Sequence, residues 1–300
     1  GLGDVYKRQS RDRNSPYRSW YDFDSGYPCG YRSWWGFETL PEVQEDSPSY
    51  VDFICGKGGV IDTWLNLGAS GFRLDVADEL PDDFIEKIRA AVKSHGEDKL
   101  LLGEVWEDAT TKEAFGRRRT YLRGHGLDAV MNYPFRTALM AYLLGGGAEY
   151  FRDSMEELRE NYPAPAFYGA MNFLSTHDTP RLLTILGLTS PAPQTRDERA
   201  VYQLSDSDLA RGMSLLKLAA LILYTFPGSP MLYYGDEAGM EGFEDPFNRR
   251  TYPWGHEDAQ MLARYQAMTA MRNAHPVLRT GEFVYLAPCA DVLGVIRKNE

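Results

Sequence analysis

Cysteine is scarce. Only Cys29, Cys55 and Cys289 occur, odd in number, widely spaced and without a CxxC pair, so neither a zinc site nor a disulfide framework is indicated. An excess of basic charge is missing too: 32 Lys and Arg stand against 43 Asp and Glu, a formal net charge of −11 at pH 7. Non-specific nucleic-acid binding and adhesion to an anionic membrane both recruit Lys/Arg clusters, so the balance speaks against nucleic acid and membrane as partners. The longest apolar run, 215–226, is interrupted by Lys217 and falls short of the roughly 20 apolar residues a bilayer span takes. No secretory h-region opens the chain, which favours a cytoplasmic location, but the chain does not begin with Met, so export stays open. No GxGxxG follows a strand, and HExxH and GxSxG are absent, which leaves dinucleotide binding, metalloprotease chemistry and serine hydrolysis without support. Of the five histidines, His95, His125, His177, His256 and His275, only His177 stands in a catalytic-looking context.

What is present is a chain of 300 residues, 43% apolar and 13% aromatic, enough to bury a large core in one large α/β domain or two medium ones. Its 19 Tyr and 6 Trp offer flat faces that suit sugar rings, although core packing accounts for most aromatics. The opening string Gly1-Leu2-Gly3-Asp4-Val5-Tyr6-Lys7-Arg8-Gln9 resembles an in-frame translation of a sequencing-library transposon adaptor. Residues 1–9 are therefore expected to be an adaptor-derived scar and stand outside the fold reasoning. The C-terminus stops inside an alternating stretch, so both ends read as truncated.

Residues 10–50 have no sustained period and read as loop. From about 51 onward strands alternate with helices. Gly71-Phe72-Arg73-Leu74-Asp75 reads as a strand, and Phe84, Ile85, Ile88, Ala91 and Val92 form one helical stripe behind Pro81. Strands are expected at 99–104, 127–132, 170–175 and 230–234, and helices at 134–144, 156–160, 207–225 and 258–273. A short helical segment is expected over 110–122. Five strand–helix units in series predict a parallel sheet with right-handed crossovers, either an open doubly wound sheet or a (β/α)8 barrel. Beyond 281 the stretches 283–286 and 292–296 read as a hairpin opening a separate β domain.

The polar residues fall at strand ends. Asp75 ends the first strand, Glu104 the second, His177 and Asp178 the fourth, and Asp236 and Glu237 follow the fifth. In a parallel sheet these ends face one mouth, where α/β barrels keep their reacting groups. A single such acid is often a helix cap or a solvated turn residue. Asp75, Glu104 and Asp178 together, each behind an apolar strand, are harder to attribute to chance. Arg73, two residues before Asp75, lies on the same sheet face and must pair with a carboxylate if it points inward. One ionised and one protonated carboxyl group are the equipment for cleaving a glycosidic bond.

At these residues the chain resembles the α-amylase family of glycoside hydrolases. Gly71-Phe72-Arg73-Leu74-Asp75-Val76-Ala77-Asp78-Glu79 is similar to the family's fourth-strand motif, which implies Asp75 as nucleophile and Arg73 as its charge partner. Leu102-Gly103-Glu104-Val105-Trp106 is similar to the fifth-strand motif, which implies Glu104 as general acid/base. Phe173-Leu174-Ser175-Thr176-His177-Asp178-Thr179-Pro180-Arg181 is similar to the seventh-strand motif, which implies that Asp178 stabilises the transition state and His177 binds sugar hydroxyls. Asp128-Ala129-Val130-Met131-Asn132-Tyr133-Pro134-Phe135 and the stretch from Tyr233 to Gly242 resemble the neopullulanase, cyclomaltodextrinase and maltogenic amylase subgroup. So does Asp245-Pro246-Phe247-Asn248-Arg249-Arg250, which would place Asp245 and Arg250 at the glycan, unless they serve only to brace a salt-bridged loop. Trp34-Trp35-Gly36-Phe37 resembles the small third-loop domain, where Trp34 or Trp35 would stack on a sugar while at least one of them is expected to pack the loop core.

The resemblance implies a partial (β/α)8 TIM barrel, strands four to eight, followed by the start of a C-terminal β-sandwich domain. Residues 10–50 would be the remnant of the third-loop domain, 51–277 the barrel part and 278–300 the start of the β domain. It implies retaining hydrolysis of α-1,4 and, in some members, α-1,6 bonds in maltodextrin, starch-derived oligosaccharides, pullulan or cyclodextrin. The partner is an α-glucan. No resident metal or other cofactor is assigned, a Ca2+ site is left open for the parent enzyme, and homodimerisation is expected through an N-terminal domain. With three strands missing, the fragment alone is expected to be inactive and aggregation-prone. The rivals are a transglycosylase using the same intermediate, a non-catalytic glycan- or partner-binding relative, and an unrelated barrel lyase or isomerase. Retention of all three acids weighs against the non-catalytic reading.

Overall fold

The computed structural model describes residue 12, residues 14–286 and residues 291–299. The expected scar at 1–9 and Cys289 lie outside the described residues; Cys29 and Cys55 are free thiols. The chain forms two compact units. One comprises the described part of Gly1–Leu102 together with Glu113–Leu127, the other Gly103–Lys112 with the described part of Asp128–Glu300.

In the first unit, short 3-10 turns at Arg18–Trp20 and Trp34–Gly36 punctuate an otherwise irregular segment up to helix Pro48–Cys55, which starts on proline. Helix Val60–Asn66 follows, then strand β1, Gly71–Leu74. Helix Asp82–Lys93 buries Phe84, Ile85, Ile88 and Val92, the stripe its spacing requires. Asp82 and Asp83 in its first turn complement the helix dipole, and Lys93 near its end donates to the carbonyls of Glu97 and Lys99. Strand β2, Leu100–Gly103, lies beside β1, with the Leu100 N–H donating to the Ser70 carbonyl at 2.9 Å. Gly71 makes that approach feasible: a Cβ there would stand 2.1 Å from the Leu100 carbonyl oxygen.

The helical segment expected over 110–122 is not found. Its place is taken by a two-stranded antiparallel hairpin, β3 (Glu113–Ala114) and β4 (Arg117–Arg118). Phe115 at φ 53 and Gly116 at φ 71 form its tip, a turn with both central residues left-handed. The local helix preference of Lys112, Glu113 and Ala114 does not prevail here, although the hairpin itself is largely exposed. Arg119, 2% exposed, donates to the Asp82 carboxylate and to the carbonyls of Asp78 and Leu80, with its guanidinium 4.4 Å from the Tyr121 ring centre.

The second unit holds β5 (Ala129–Val130), β6 (Met171–Phe173) and β7 (Ser229–Met231). β6 and β7 pair in parallel, Met171 opposite Ser229 and Phe173 opposite Met231. Met131, just past β5, makes a parallel bridge to Met171 and donates its N–H to the Gly103 carbonyl. The expected third, fourth and fifth strands are therefore present but shorter. Asn172, fully buried, ties them sideways: its Oδ1 accepts from Asn132 Nδ2 at 2.8 Å and its Nδ2 donates to the Pro227 carbonyl at 2.7 Å. The helices between them are capped as their sequences require. Ser205 accepts from the Asp208 N–H ahead of helix Asp206–Thr225, and Asp258 from the Met261 N–H ahead of helix Ala259–Ala274. The terminal hairpin joins β8 (Glu282–Tyr285) to β9 (Val295–Lys298) in antiparallel register. Phe226 gathers Phe135, Phe151 and Phe283 around it at ring separations of 5.2, 5.7 and 4.9 Å, so this hairpin packs within the second unit.

Candidate active site

β1 ends at Leu74 and delivers Asp75 at its tip, followed by Val76 in the left-handed region at φ 44, uncommon for a β-branched residue. Arg73 Nη1 and Asp75 Oδ1 form an ion pair, as two residues on one strand face allow. Asp75, Val76, Glu79, Trp34 and Trp35 line a cavity of about 820 Å3 in the first unit. Glu79 accepts from the indole Nε1 of Trp34 at 2.5 Å and of Trp35 at 2.7 Å. Both rings are thus held by their polar edges, and Trp35 remains 77% exposed. Trp34, half-buried, also stacks on Phe37 at a ring separation of 6.1 Å.

In the second unit Glu104, 5% exposed, stands just beyond β2. Its Oε1 accepts from the Tyr133 hydroxyl at 3.2 Å and from Trp106 Nε1 at 3.1 Å. The Trp106 and Tyr133 rings stack at 4.3 Å, and Phe173 of β6 meets Tyr133 edge-on at 4.8 Å. Burial pushes the Tyr133 phenol well above its ordinary range, and the carboxylates of Glu104 and Asp178 push it further. It therefore serves as a donor throughout the neutral range, and it lies in the field of both acids.

Asp178 sits in the turn between β6 and helix Leu182–Gly187. Its N–H donates to Thr176 Oγ1 at 3.1 Å, and His177 Nε2 lies 3.0 Å from its Oδ2. Arg249 Nη2 is 3.5 Å from Asp178 Oδ1, and Arg249 Nε is 3.2 Å from Asp245 Oδ1. One guanidinium thus joins Asp178 to Asp245. Arg250 points elsewhere, donating to the Ala200 carbonyl at 2.7 Å. Asp236 turns inward to Arg181, 3.2 Å away; burial lifts its carboxyl to about 6 although Arg181 pulls the other way.

The structure therefore groups Arg73, Asp75, Trp34 and Trp35 in the first unit, and Glu104, His177, Asp178 and Asp245 in the second. Sequence reasoning passed over Glu79, Trp106, Tyr133 and Arg249, although each lies inside a stretch singled out as motif. For Glu79 and Trp106 the signal was adjacency to an acid at a strand end, Asp75 and Glu104; Tyr133 and Arg249 carried no such signal. Among the described residues no three His, Cys, Asp or Glu side chains are arranged to hold a metal ion. No helix of the described residues is long and apolar enough to cross a membrane.

Strand ends bearing acids, an indole-lined cavity and a carboxyl group held by a tyrosine describe the carbohydrate-cleaving class of α/β proteins. Residues 30–274 match the family model for the α-amylase catalytic domain, and the chain belongs to the α-amylase family of glycoside hydrolases. It is 35% identical to an amylopullulanase of Thermoanaerobacter thermohydrosulfuricus over 97% of this chain and 20% of that protein. To a cyclomaltodextrinase of a Bacillus species it is 32% identical over 91% of this chain and 44% of that protein. Among solved structures, the type III pullulan hydrolase from Thermococcus kodakarensis superposes with a TM-score of 0.83 at 25% identity, over 99% of this chain and 50% of that one. The cyclic α-maltosyl-(1→6)-maltose hydrolase from Arthrobacter globiformis, in complex with that cyclic sugar, gives 0.80 at 25% identity over 98% and 61%. The chain thus spans between a fifth and less than half of the length of these curated relatives.

Proposed function

We propose that the protein carrying this chain hydrolyses α-glucosidic bonds with retention of configuration, mainly α-1,4 bonds and also α-1,6 bonds. The substrates are maltodextrin, starch-derived oligosaccharides, pullulan or cyclodextrin. Asp75 attacks the anomeric carbon while Glu104 donates a proton to the departing glycosidic oxygen, leaving a glycosyl ester on Asp75. Water then gives a proton to Glu104 and attacks the same carbon, releasing the sugar and restoring both carboxyl groups. Asp178 stabilises the oxocarbenium-like state, and Arg73 orients Asp75. His177 and Asp245 contact the sugar hydroxyls, Arg250 braces the loop through the Ala200 carbonyl, and Trp34 or Trp35 stacks on a ring.

The observation that carries the reading is the pairing of Glu104 with Tyr133, a phenol that also feels Asp178. A general acid needs a sheltered carboxyl with a fixed orientation, and Glu104 has both. The names of the relatives, amylopullulanase and cyclomaltodextrinase, support the substrate class. In this reading β1, β2, β5, β6 and β7 are strands four to eight of a (β/α)8 barrel within residues 51–277. Residues 10–50 belong to the third-loop domain, and β8 and β9 open a C-terminal β domain.

Proton NMR of maltotetraose cleavage by the intact protein, recorded within the first turnovers, tests the stereochemistry. The α-anomer of the new reducing end should appear first and only later mutarotate. Initial release of the β-anomer would exclude a glycosyl–enzyme route.

A further inference from the structure

The turn that carries His177 and Asp178 turns three of its carbonyl groups towards one side chain from a distant part of the chain. Asn248 Nδ2 lies 3.3 Å from the Thr176 carbonyl oxygen, 2.8 Å from that of His177 and 2.9 Å from that of Thr179. Three acceptors around one end of the side chain fix which end is the nitrogen, since only the NH2 can donate. Asn248 is fully buried, and its Oδ1 takes no donor among the described residues, so the amide is held by its nitrogen. Converging carbonyl dipoles repel one another, and these are withdrawn from water. A donor placed between them offsets that repulsion.

Asn248 is itself anchored. It lies in the 3-10 turn Phe247–Arg249, and its carbonyl accepts from Arg181 Nε at 3.0 Å and from the Tyr233 hydroxyl at 3.4 Å. Arg181 is fully buried and paired with Asp236. The next residue, Arg249, donates Nε to the His177 carbonyl at 3.1 Å. Inside the turn, Thr176 and Thr179 brace one another through the Thr176 N–H and Thr179 Oγ1 at 2.9 Å. Asn248 and Arg249 brace it from outside, both supplied by the loop after β7, and only Asn248 bridges all three carbonyls.

We infer that Asn248 is a positioning residue for Asp178: its amide locks the Thr176–Thr179 turn so that the Asp178 carboxylate is preset for the transition state. This inference rests on the proposed role of Asp178 in glycoside cleavage. Asn248 is too deeply buried to touch substrate, so it acts only through the turn. A misplacement of the order of 1 Å in a reacting group costs about 100-fold in rate.

The test is a double-mutant cycle in the intact protein, read with an activated aryl maltoside. Asn248→Leu keeps similar bulk and removes the donor. It should lower kcat by about 10- to 100-fold, with any rise in KM well below that loss, because the turn carries the sugar-binding His177 as well as the preset carboxylate. Asp178→Asn alone should lower kcat strongly. In that background Asn248→Leu should cost less than about twofold further, since the group it positions is already lost. Equal costs in both backgrounds, or a rise in KM with kcat unchanged, would overturn the role of Asn248. Wild-type turnover in Asp178→Asn would instead overturn the role of Asp178. Where Asn248→Leu does not fold, Asn248→Ser, which keeps one donor, enters the same cycle. If neither variant folds, Asn248 serves the fold alone and the inference fails.

Discussion

Asp75→Asn in the intact protein lowers kcat/KM on maltodextrin by at least about 1,000-fold, because an amide oxygen is a far weaker nucleophile than a carboxylate and forms no stable ester. The same substitution leaves the melting temperature nearly unchanged. The Asp75 side chain is 72% exposed, so the exchange strands no buried group, and an asparagine oxygen still accepts from Arg73. Surface changes of this kind stay within about 0.5 kcal/mol. Initial-rate kinetics and a thermal melt on the same preparation check both halves. A variant that keeps a tenth of the wild-type rate removes Asp75 from the role of nucleophile. One that loses activity together with its fold leaves the assignment without support.

Arg181→Met destabilises the second unit by about 3–5 kcal/mol, the usual cost of breaking a buried ion pair from one side, or about 10 °C in melting temperature. Arg181 is fully buried and serves several partners: the Asp236 carboxylate at 3.2 Å, the Asn248 carbonyl at 3.0 Å, the Tyr234 carbonyl, and the Tyr233 ring, whose centre lies 4.2 Å from its guanidinium carbon. Methionine fills much of the volume and supplies no donor. The loss depends on pH with a definite sign. Burial raises the folded carboxyl of Asp236 from an ordinary 3.8 to about 6. A raised folded value means that its stabilising contribution is complete below about 3.8 and is lost as pH rises through about 6. Removing the cation therefore costs more at pH 8, where Asp236 is charged, than at pH 5, where it is largely neutral. Urea melts of both proteins at the two pH values measure the difference. An equal loss at both would mean that the carbonyl contacts, not the ion pair, hold the unit.

How far the sequence could be read depended on whether a signal was local. β1 and β2 were legible because apolar residues run up to an acid, and helix Asp82–Lys93 because its stripe is regular. The hairpin at 113–118 was not legible. Its strands are two residues long, its tip depends on Phe115 taking a positive φ, and the residue that follows it, Arg119, is anchored to Asp82, 37 positions away. Helices Val60–Asn66, Leu182–Gly187 and Arg196–Val201 escaped for a different reason: at six or seven residues they show no full apolar period. In the site, the acids could be picked out by their place at strand ends, whereas their supports could not. Nothing in the spacing of Asn248 or Tyr133 reveals that one faces the turn of Asp178 and the other the carboxyl of Glu104. The neighbouring arginines show the limit most clearly. Arg249, not Arg250, reaches both Asp178 and Asp245, and only the path of the loop decides between two adjacent residues of the same type.

The most direct test is to trap the ester. The intact protein is incubated with 5-fluoro-α-maltosyl fluoride, which slows both steps through loss of oxocarbenium character while its good leaving group lets the ester accumulate, then digested with pepsin and mapped by mass spectrometry. The account predicts one added 5-fluoromaltosyl group, with the anomeric fluoride expelled, on the peptide containing Asp75 and on that side chain. A label on any other residue, or complete turnover by a route that leaves no labelled peptide and yields the β-anomer, would contradict it.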